Sequence, residues 1–457
     1  MNGQPASTSV GLLAYAAYVP AYRLGPDSGL RRARVVASFD EDSTTMGVAA
    51  ATELGPVAPS QLLFATSSPA YLDKTNAAAV HAALGLSPDV FAADLIGTSR
   101  STIAAIRGAL AGGGLVVAAD VRVGRPGSSD ERAGGDGAAA LLFGRGEPIA
   151  VLVAEASSTA EFLDRWRDPS RPTAEQWEER FGFERYAALV RETASRVLAA
   201  ASLAEADHVV ITSPNTGVTK APGALVKGRL STTASPLGFA GAADLPLAVS
   251  AVLDTAGPAE TILAISASDG CDAMLLRTTP DLPAHRQAVP LAAQIAEGRT
   301  VPYPAYLAWR GLLEREPPRR PEPDRPAGPP SARSAEWKFT FTGSRCTQCG
   351  FVHLPPLRVC RNCAALDAMV PAPASRLTGT VATYTVDRLA YSPAPPVVDI
   401  VVDFDGGGRY TLEAADADAD AFDVGARVGL TFRRMFTAGG VANYFWKARL
   451  LAAQEES

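Results

Sequence analysis

Four of the five cysteines in this 457-residue chain fall within eighteen positions, as two pairs with the spacing C-x2-C-x10-C-x2-C. The pairs are Cys346 with Cys349 and Cys360 with Cys363. Each pair makes a tight turn that places two sulfurs on one metal ion, and two such turns complete a tetrahedral thiolate cage. Because protein fills all four positions, the pattern predicts structural Zn²⁺ rather than a catalytic metal. The alternatives are a ribbon without metal and a disulfide pairing, and a chain that shows no secretion signal favours neither.

A second group of side chains that could take part in a reaction lies at residues 97–102. Several Ser and Thr residues, Ser99 among them, lie here at the start of a predicted helix. Hydroxyl groups at a helix N-terminus face free backbone N–H groups and the positive end of the helix dipole. Simple capping explains most clusters of this kind. The functional alternative is a nucleophile or an anion site.

The elements that must position these residues alternate between buried strands and longer helices. The hydrophobic pattern predicts strands at residues 10–15, 61–66, 115–119, 138–143, 149–155, 208–212, 262–268 and 273–277. It predicts helices at residues 43–54 (capped by Asp42 or Ser43), 76–84, 102–111, 183–201 and 245–254. Apolar strands followed by amphipathic helices indicate a layered α/β fold. The helix at 102–111 follows a short extended run that ends near Asp94.

A proline-rich segment divides the chain. Seven of the fourteen residues from 317 to 330 are proline, and most of the others are Arg, Glu or Asp, so this stretch is predicted to be a semi-extended tether. After the cysteine pairs, short alternating runs separated by Gly-rich turns predict about five strands of an OB-type barrel. The predicted domains are therefore an α/β domain at 1–315, a linker at 316–334, a zinc ribbon at 335–370 and an OB-fold at 371–457.

The composition excludes several classes of protein. Forty-two basic and 48 acidic residues give a net charge of −6, which does not favour binding to nucleic acid. The sequence of the predicted barrel also lacks the basic and aromatic residues that such binding needs. No apolar run approaches the ~20 residues that span a bilayer. The N-terminal residues show no secretory signal. We therefore expect a cytoplasmic protein that binds neither nucleic acid nor membrane.

Several segments of the first 311 residues form a recognisable series along the chain: GLLAYAAYVPAYR at 11–23, EDSTTMGVA at 41–49, FLDRW at 162–166, VVITSPN at 209–215, ILAISASDGCDA at 262–273 and YPAYLAWRG at 303–311. Through these segments, residues 10–310 resemble the archaeal-type hydroxymethylglutaryl-CoA synthases of the thiolase superfamily. This resemblance implies a thiolase-type fold with two similar five-stranded halves that sandwich helices. It also implies a homodimer through this domain, with the active site near the dimer interface.

The same resemblance indicates an altered active site. Ser99 stands at the position of the family's nucleophilic cysteine, and Ser67 at that of its acid/base glutamate. Thr212, just before Ser213-Pro214-Asn215, replaces the family histidine, and Phe239 replaces an asparagine. A serine hydroxyl needs a neighbouring general base, whereas a cysteine thiol can ionise by itself. The resemblance therefore implies that the chain is not a standard hydroxymethylglutaryl-CoA synthase.

No replacement for the missing base is evident from the sequence. The four histidines are His81, His208, His285 and His353, and none aligns with the family base. We interpret His81 as structural, and Cys271, which follows Asp269-Gly270, as a small buried residue rather than a substitute nucleophile.

Residues 337–451 resemble the zinc-ribbon/OB-fold proteins that accompany thiolase-superfamily enzymes. The segments GSRC at 343–346, LPP at 354–356 and GTV at 379–381 carry this resemblance. In that group the module bridges a thiolase and a synthase or completes a thiolase-like aldolase. The resemblance implies that here the module is fused to its partner, with another superfamily enzyme as a further candidate partner.

Three functions remain open from the sequence. The leading hypothesis is an acyltransferase in which Ser99 takes an acyl group from CoA or from the phosphopantetheine of an acyl-carrier protein, with Ser67, Thr212 and Asn215 in the site. Arg100 and Lys220 are candidates to meet the phosphate or pantetheine of the carrier. The second hypothesis is a C–C lyase or aldolase acting on a CoA thioester, as in steroid side-chain aldolases, with an unassigned acid/base for which Tyr15, Tyr71 and Tyr303 are candidates. The third is a non-catalytic scaffold that binds acyl-CoA.

Overall fold

The structure is a computed structural model that describes residues 7–30, 32–220, 222–232 and 237–451. The chain forms two compact units. The first comprises residues up to 37, 42–78 and 87–303. The second comprises residues 38–41, 79–86 and those from 304 onward, so it draws on three separate stretches of sequence. No described helix combines the length and the apolar composition that crossing a membrane requires.

The elements up to residue 309 are those of an α/β protein. The strands are β1 (Ser7–Tyr18), β2 (Tyr22–Leu24), β3 (Arg34–Val36), β4 (Gln61–Thr66), β5 (Phe91–Ile96), β6 (Gly114–Asp120), β7 (Gly137–Gly146), β8 (Ala150–Thr159), β9 (Arg165–Trp166), β10 (Glu175–Gln176), β11 (Ala206–Thr212), β12 (Gly228–Thr232), β13 (Thr261–Ser266), β14 (Gly270–Thr278) and β15 (Arg299–Val301). The helices are α1 (Ser43–Thr52), α2 (Ala77–Ala83), α3 (Arg100–Gly112), α4 (Ser129–Ala133), α5 (Glu179–Ala200), α6 (Thr216–Lys220), α7 (Asp244–Leu253), α8 (Leu291–Ala296) and α9 (Tyr303–Trp309). Short 3₁₀ turns lie at Pro26–Ser28, Pro222–Ala224, Gly241–Ala243 and Leu282–His285.

Ten of these strands form two halves with the same topology. In the order β5-β4-β6-β7-β1, the first two pairings are parallel and the next two antiparallel. The order β12-β11-β13-β14-β8 repeats that pattern pairing by pairing. The halves join where Leu12 of β1 pairs with Ala150 of β8. The expectation of two similar five-stranded halves is therefore confirmed.

The central strands and two helices account for the core of this unit. Strands β4, β6 and β13 are buried along almost their whole length, which explains their nearly continuous apolar sequences. Helix α7 is buried at nine of its ten positions, and α3 buries the face that carries Ile103, Ala105 and Ala109. Residues of both helices contribute to one hydrophobic cluster with strands of both halves. Packing against strands of both halves therefore holds α3 in place.

All eight predicted strands and all five predicted helices of the first unit are present, with ends that differ by a few residues. The sequence analysis did not identify β5 as a strand, because its alternation is weak and it lies at the edge of the sheet with both terminal residues exposed. The predicted tether is also only partly extended. Helix α10 (Gly328–Arg333) begins inside it, since proline fits the first turn of a helix.

The second unit contains a small ribbon and a five-stranded sheet. Helix α11 (Ala335–Thr340) precedes the antiparallel ribbon of β16 (Thr342–Cys346), β17 (Val352–His353) and β18 (Met369–Pro373). The strands β19 (Gly379–Asp387), β20 (Val397–Phe404), β21 (Arg409–Glu413), β22 (Arg427–Ala438) and β23 (Val441–Leu450) follow, with a 3₁₀ turn at Ala419–Ala421. Their antiparallel order is β21-β20-β19-β22-β23. The five predicted strands of the barrel are confirmed.

A buried ion network ties residues 38–41 to this five-stranded sheet. Arg433 on β22 is fully buried, and it pairs with Glu41 at 2.9 Å and with Asp416 at 2.5 Å. Lys447 on β23 pairs with Asp40 at 3.0 Å and with Glu413 at 2.9 Å. Because buried charges are tolerated only when they are paired, each member depends on the others.

The charges of the network also set the pKa of Asp40. Burial opposes its ionisation, but the positive charges of Lys447 and Arg433 outweigh burial and hold the pKa of Asp40 below its ordinary value. The stability that this carboxylate contributes is therefore present above its unfolded pKa, and it is lost as the pH falls through the lowered native pKa.

We predict that Arg433→Met destabilises the second unit by about 3–5 kcal/mol, because it leaves Glu41 and Asp416 buried without their cation. Hydrogen exchange of peptides from 427–450 measures the loss. The control is Arg427→Gln, which breaks an exposed pair with Asp405 on the same sheet and should cost less than about 1 kcal/mol. Equal effects of the two variants would contradict a special role for the buried network.

Candidate functional site

Ser99 directly precedes α3 at the carboxyl end of β5. It is buried, with 9% of its surface exposed, and its Oγ has no hydrogen-bond partner among the described residues. Its backbone is already helical (φ −58°, ψ −21°), and its side chain makes no capping hydrogen bond. Capping therefore does not explain this serine. A buried hydroxyl without a partner costs free energy, which a bound acceptor or donor would recover.

Ser67 lies beside this position because β4 and β5 are parallel neighbours whose carboxyl ends meet at one edge. Thr66 pairs in register with Ile96, and the Gly97 N–H donates to the Thr66 carbonyl at 3.3 Å. The Ser67 hydroxyl donates to Asp120 Oδ2 at 2.7 Å, and its backbone N–H donates to Asp120 Oδ1 at the same distance. The structure thus brings the two predicted positions, Ser67 and Ser99, to the same edge of the sheet.

Asp120, the last residue of β6, organises this edge. It is fully buried, and its carboxylate accepts further hydrogen bonds from the hydroxyls of Thr66 and Ser68, both at 2.8 Å, and from the Ala242 N–H at 2.6 Å. A carboxyl group with this many donors is held in one orientation. It therefore joins the end of β4 to the turn that precedes α7.

Gly241 allows that close approach. A Cβ at this position would lie 1.9 Å from Asp120 Oδ2, and the residue has φ +57°, a conformation that glycine adopts without strain. The Ala242 carbonyl beside it accepts a hydrogen bond from the Thr102 hydroxyl of α3. The 240–242 turn therefore contacts both Asp120 and the helix that carries Ser99.

Ser67 and Phe239 contact the same guanidinium group. Arg122 Nη1 donates to the Ser67 hydroxyl at 3.0 Å, and the guanidinium carbon lies 5.1 Å from the centre of the Phe239 ring. Burial lowers the pKa of Arg122, and the negative charge of Asp120 opposes that effect. Arg167 donates to the Ser67 carbonyl from another direction. Two arginine side chains therefore donate hydrogen bonds to Ser67.

Arg165 links this region to the equivalent edge of the second half. It pairs with Asp130 and donates to the Pro214 carbonyl at 3.4 Å. The small cleft around it opens to solvent and is lined by Ser129, Asp130, Asp164, Arg165, Gln176, Glu179, Pro214, Asn215 and Thr216. Burial raises the pKa of Asp164 in this cleft. A carboxyl group that retains its proton more readily is suited to proton transfer.

Thr212 and Asn215 lie at the carboxyl end of β11, and both have internal partners. The Thr212 hydroxyl donates to the Ile265 carbonyl at 3.2 Å. Asn215 Nδ2 donates to the Glu179 carbonyl at 2.9 Å, and its Oδ1 accepts from the Gly217 N–H at 3.0 Å. These contacts give both residues a structural role, and their catalytic roles stay predictions.

The two predicted carrier-binding residues differ in their surroundings. Arg100 is held internally, since it forms a forked pair with Asp272 at 2.8 and 3.3 Å and donates to the Asp269 carbonyl and to the Thr159 hydroxyl. It anchors the start of α3 rather than projecting toward a ligand. Lys220 ends α6 with an exposed side chain. A contact of either residue with CoA stays a prediction.

The remaining candidates for acid/base chemistry are also engaged. Tyr15 donates to Asp254 at 2.7 Å, and burial together with that carboxylate raises its pKa. Tyr303 donates to Glu131 at 2.8 Å, and His208 contacts Glu260 at 2.6 Å. Burial raises the pKa of Cys271 to about 12, which keeps its thiol protonated and agrees with its interpretation as a small buried residue.

The four clustered cysteines form a site that fits Zn²⁺. Their sulfurs all lie within 4.8 Å of one another, with Cys346 Sγ 3.7 Å from Cys363 Sγ and Cys349 Sγ 3.5 Å from Cys360 Sγ. A tetrahedral site with Zn–S bonds of about 2.3 Å requires sulfurs about 3.8 Å apart. The predicted set of metal ligands is therefore brought together.

The backbone repeats the same turn around each cysteine pair. The N–H of Cys346 donates to the Phe351 carbonyl and its carbonyl accepts from the Gly350 N–H, both at 2.9 Å. Cys360 makes the same two bonds with Ala365 and Ala364, also at 2.9 Å. Two equivalent turns each present two sulfurs, as a closed structural metal site requires.

Sequence comparison identifies the C-terminal part of the chain. Residues 339–367 match the family described as ChsH2, rubredoxin-like zinc ribbon domain. Residues 372–433 match the family described as ChsH2, C-terminal OB-fold domain. The second unit carries a ChsH2-type zinc ribbon and OB-fold. Both domains expected from the sequence are thus shown, in the expected order.

The N-terminal part is similar to hydroxymethylglutaryl-CoA synthases. The enzyme of Methanopyrus kandleri is 29% identical over 356 residues, an alignment that covers 67% of this chain and 99% of the relative. The enzyme of Pyrococcus furiosus is 28% identical over 300 residues, which cover 57% of this chain and 83% of the relative.

Solved structures show the same fold. A hydroxymethylglutaryl-CoA synthase complexed with CoA has a TM-score of 0.58 at 15% identity and covers 68% of this chain and 92% of its own. The synthase of the curacin pathway in complex with acetyl donor-ACP has a TM-score of 0.55 at 18% identity, covering 66% of this chain and 88% of its own. The first unit is a thiolase-type α/β fold, as expected.

The sequence analysis missed Asp120, Arg122 and Arg165 as site residues. Asp120 had a usable signal, because it is a charged residue at the end of an otherwise apolar, buried strand. Arg165 belongs to the FLDRW segment, which supported the resemblance without a role for its members. Nothing in the sequence pairs Arg122 with Phe239, since the contact joins distant parts of the chain.

We predict one zinc ion per chain and its loss in Cys360→Ser, because three thiolates leave the tetrahedral site incomplete. Elemental analysis of the purified protein measures the metal. The control is Cys271→Ala, which removes the cysteine outside the cluster and should retain the full zinc content. Zinc retained after Cys360→Ser, or lost after Cys271→Ala, would contradict this assignment.

We also predict that Gly241→Ala destabilises the first unit by about 2–5 kcal/mol, since overpacking costs about 1–3 kcal/mol and a left-handed residue about 1–2 kcal/mol. Gly55→Ala is a matched control, because Gly55 also has positive φ (+75°) but no heavy atom within 4 Å of the added Cβ. It should show the backbone cost alone in thermal unfolding. Equal destabilisation would mean that Asp120 shifts easily.

Proposed function

We propose that the thiolase-type domain handles acyl thioesters and that Ser99 accepts the acyl group, which makes the protein an acyltransferase. The observation that carries this proposal is the buried Ser99 Oγ, which has no hydrogen-bond partner in the described residues and lies at the start of α3. Proteins of this fold have been solved with CoA and with an acetyl-donor carrier protein. CoA or a carrier protein is therefore the proposed donor.

The chemistry is a transfer from sulfur to oxygen. The Ser99 Oγ attacks the thioester carbonyl, the C–S bond breaks, and the hydroxyl proton passes to the departing thiolate, which leaves a serine ester and a free thiol. Negative charge that develops on the carbonyl oxygen is favoured near a helix N-terminus. An acceptor then takes the acyl group from the ester. Because Ser67 replaces the family glutamate, we propose that this chain does not follow the standard synthase route.

A second candidate, a C–C lyase on a CoA thioester, is favoured by a different observation. The zinc ribbon and OB-fold match ChsH2 families, and no described side chain is bonded to Ser99 as a base would be. A lyase needs no covalent thioester. Its proton carrier would be a group such as Asp164, whose pKa burial raises.

We also propose that the thiolase-type domain forms a homodimer. Strand β5 lies at the end of the sheet, with Phe91 63% and Ile96 41% exposed. An exposed edge strand with apolar residues can pair with the same strand of a second chain. Another thiolase-superfamily enzyme is the proposed further partner.

We predict that incubation with an acyl-CoA panel adds the mass of the acyl group to the intact protein and that Ser99→Ala abolishes the adduct. Ser99→Cys should acylate faster, because a thiol ionises more readily than a hydroxyl. The control is Cys271→Ala, which should acylate like the parent because its buried thiol stays protonated. Intact-mass spectrometry over time gives the rates.

The other outcomes separate the remaining functions. An adduct that persists in Ser99→Ala would overturn Ser99 as the acyl acceptor. Acyl-CoA binding without an adduct, together with release of a carbonyl product from a β-hydroxyacyl-CoA, would establish the lyase. Binding with neither reaction would leave the acyl-CoA-binding scaffold.

A further inference from the structure

Arg122 is a half-buried cation that makes no direct ion pair with a described residue, although the negative charges of Asp120 and Asp130 act on it from a distance. Its only side-chain hydrogen bond within the described residues runs from Nη1 to the Ser67 hydroxyl, and it forms no ion pair there. Its face lies against the Phe239 ring. The opposite fork of the guanidinium, Nε and Nη2, has no acceptor in the described part of the chain. That fork has the geometry that binds a carboxylate through two hydrogen bonds.

The carboxylates near Arg122 are already occupied. Asp120 accepts hydrogen bonds from residues 66–68 and from Ala242, and Asp130 pairs with Arg165. Burial lowers the pKa of Arg122, and the negative charges of Asp120 and Asp130 oppose that effect. The positive charges of Arg165 and Arg167 act in the same direction as burial. A bound anion would supply the missing interaction.

The position of Arg122 indicates which anion fits. The guanidinium group of Arg122 contacts Ser67 and Phe239. By the resemblance to the synthases, these two residues align with active-site residues close to the thioester. Ser67 and Ser99 follow neighbouring parallel strands. The pantetheine arm keeps the phosphates of CoA far from the thioester, so an anion at Arg122 belongs to the acyl group.

We propose that Arg122 is a specificity residue and that the acyl group carried by the thioester ends in a carboxylate. Arg122 binds that carboxylate through its free fork, and the Phe239 ring holds the guanidinium plane in place. Arg167, which donates to the Ser67 carbonyl, adds a second positive charge near this residue. This inference rests on the proposed handling of acyl thioesters, but it does not depend on whether Ser99 becomes acylated.

The test compares thioesters of equal chain length with and without the carboxylate. Succinyl and butyryl esters, each made with CoA and with pantetheine, are titrated calorimetrically into the Ser99→Ala protein, so that no covalent adduct forms. We expect the succinyl ester to bind about ten- to a hundred-fold more tightly on both carriers, as a charge-assisted hydrogen-bonded pair predicts. The pantetheine esters contain no phosphate, so they separate the acyl carboxylate from the CoA phosphates.

Arg122→Met should abolish the preference, and Arg122→Lys should retain part of it, since lysine keeps the charge but not the fork. The control is Arg145→Met, which removes an exposed arginine on β7 and should leave the preference unchanged. Loss of folding in Arg122→Met leaves the comparison of the parent with Arg122→Lys decisive.

Three results would overturn the inference. The first is equal binding of succinyl and butyryl esters, and the second is a succinyl preference that survives Arg122→Met. The third is a loss of affinity in Arg122→Met that is confined to the CoA esters and is equal for both acyl groups. The last result would assign Arg122 to a CoA phosphate. Failure to bind any thioester overturns both this inference and the proposed function, whereas a carboxylate preference without Ser99 acylation in the parent overturns only the acyltransferase.

Discussion

The candidate site depends on one buried carboxylate. Asp120 ends β6, and its two carboxylate oxygens accept hydrogen bonds from the end of β4 and from the turn before α7, so all three segments meet here. A buried ion is stable only when its hydrogen bonds are complete, so these backbone segments have little freedom to move apart. Ser67 takes its orientation directly from this carboxylate, and α3 is attached to the same turn through Thr102.

Ser67 and Phe239 hold the Arg122 guanidinium group close to this carboxylate. The Ser67 hydroxyl donates to Asp120 and accepts from Arg122 Nη1, while the Phe239 ring lies against the guanidinium group. A glutamate at position 67 would place a second acid beside Asp120, where like charges repel.

The sequence predicted the elements whose pattern is local. The continuous apolar runs of β4, β6 and β13 and the cysteine spacing each carry their own signal within a few residues. The family resemblance predicts that Ser67 and Ser99 belong to one site, and the parallel register of β4 and β5 places both at the same edge of the sheet. Strand β5 was missed because a half-exposed edge strand has little periodic signal.

The parts that the sequence could not predict are contacts between distant segments. Arg122 meets Phe239 across more than one hundred positions, and Arg433 meets Glu41 across nearly four hundred. No periodicity relates such residues, and an arginine in a strand pattern is equally compatible with solvent exposure. Their significance follows only from burial and from the partners that the fold brings to them.

The ion network of the second unit has a consequence for how this protein can be divided. Its two buried cations, Arg433 and Lys447, take part of their counter-charge from Asp40 and Glu41, which precede the zinc ribbon by about three hundred positions. A fragment that begins at the ribbon would contain the cations without these acids. The C-terminal module is therefore not an independent domain. Its buried ion network is complete only in a polypeptide that also includes Asp40 and Glu41, or beside another chain that supplies the same two carboxylates.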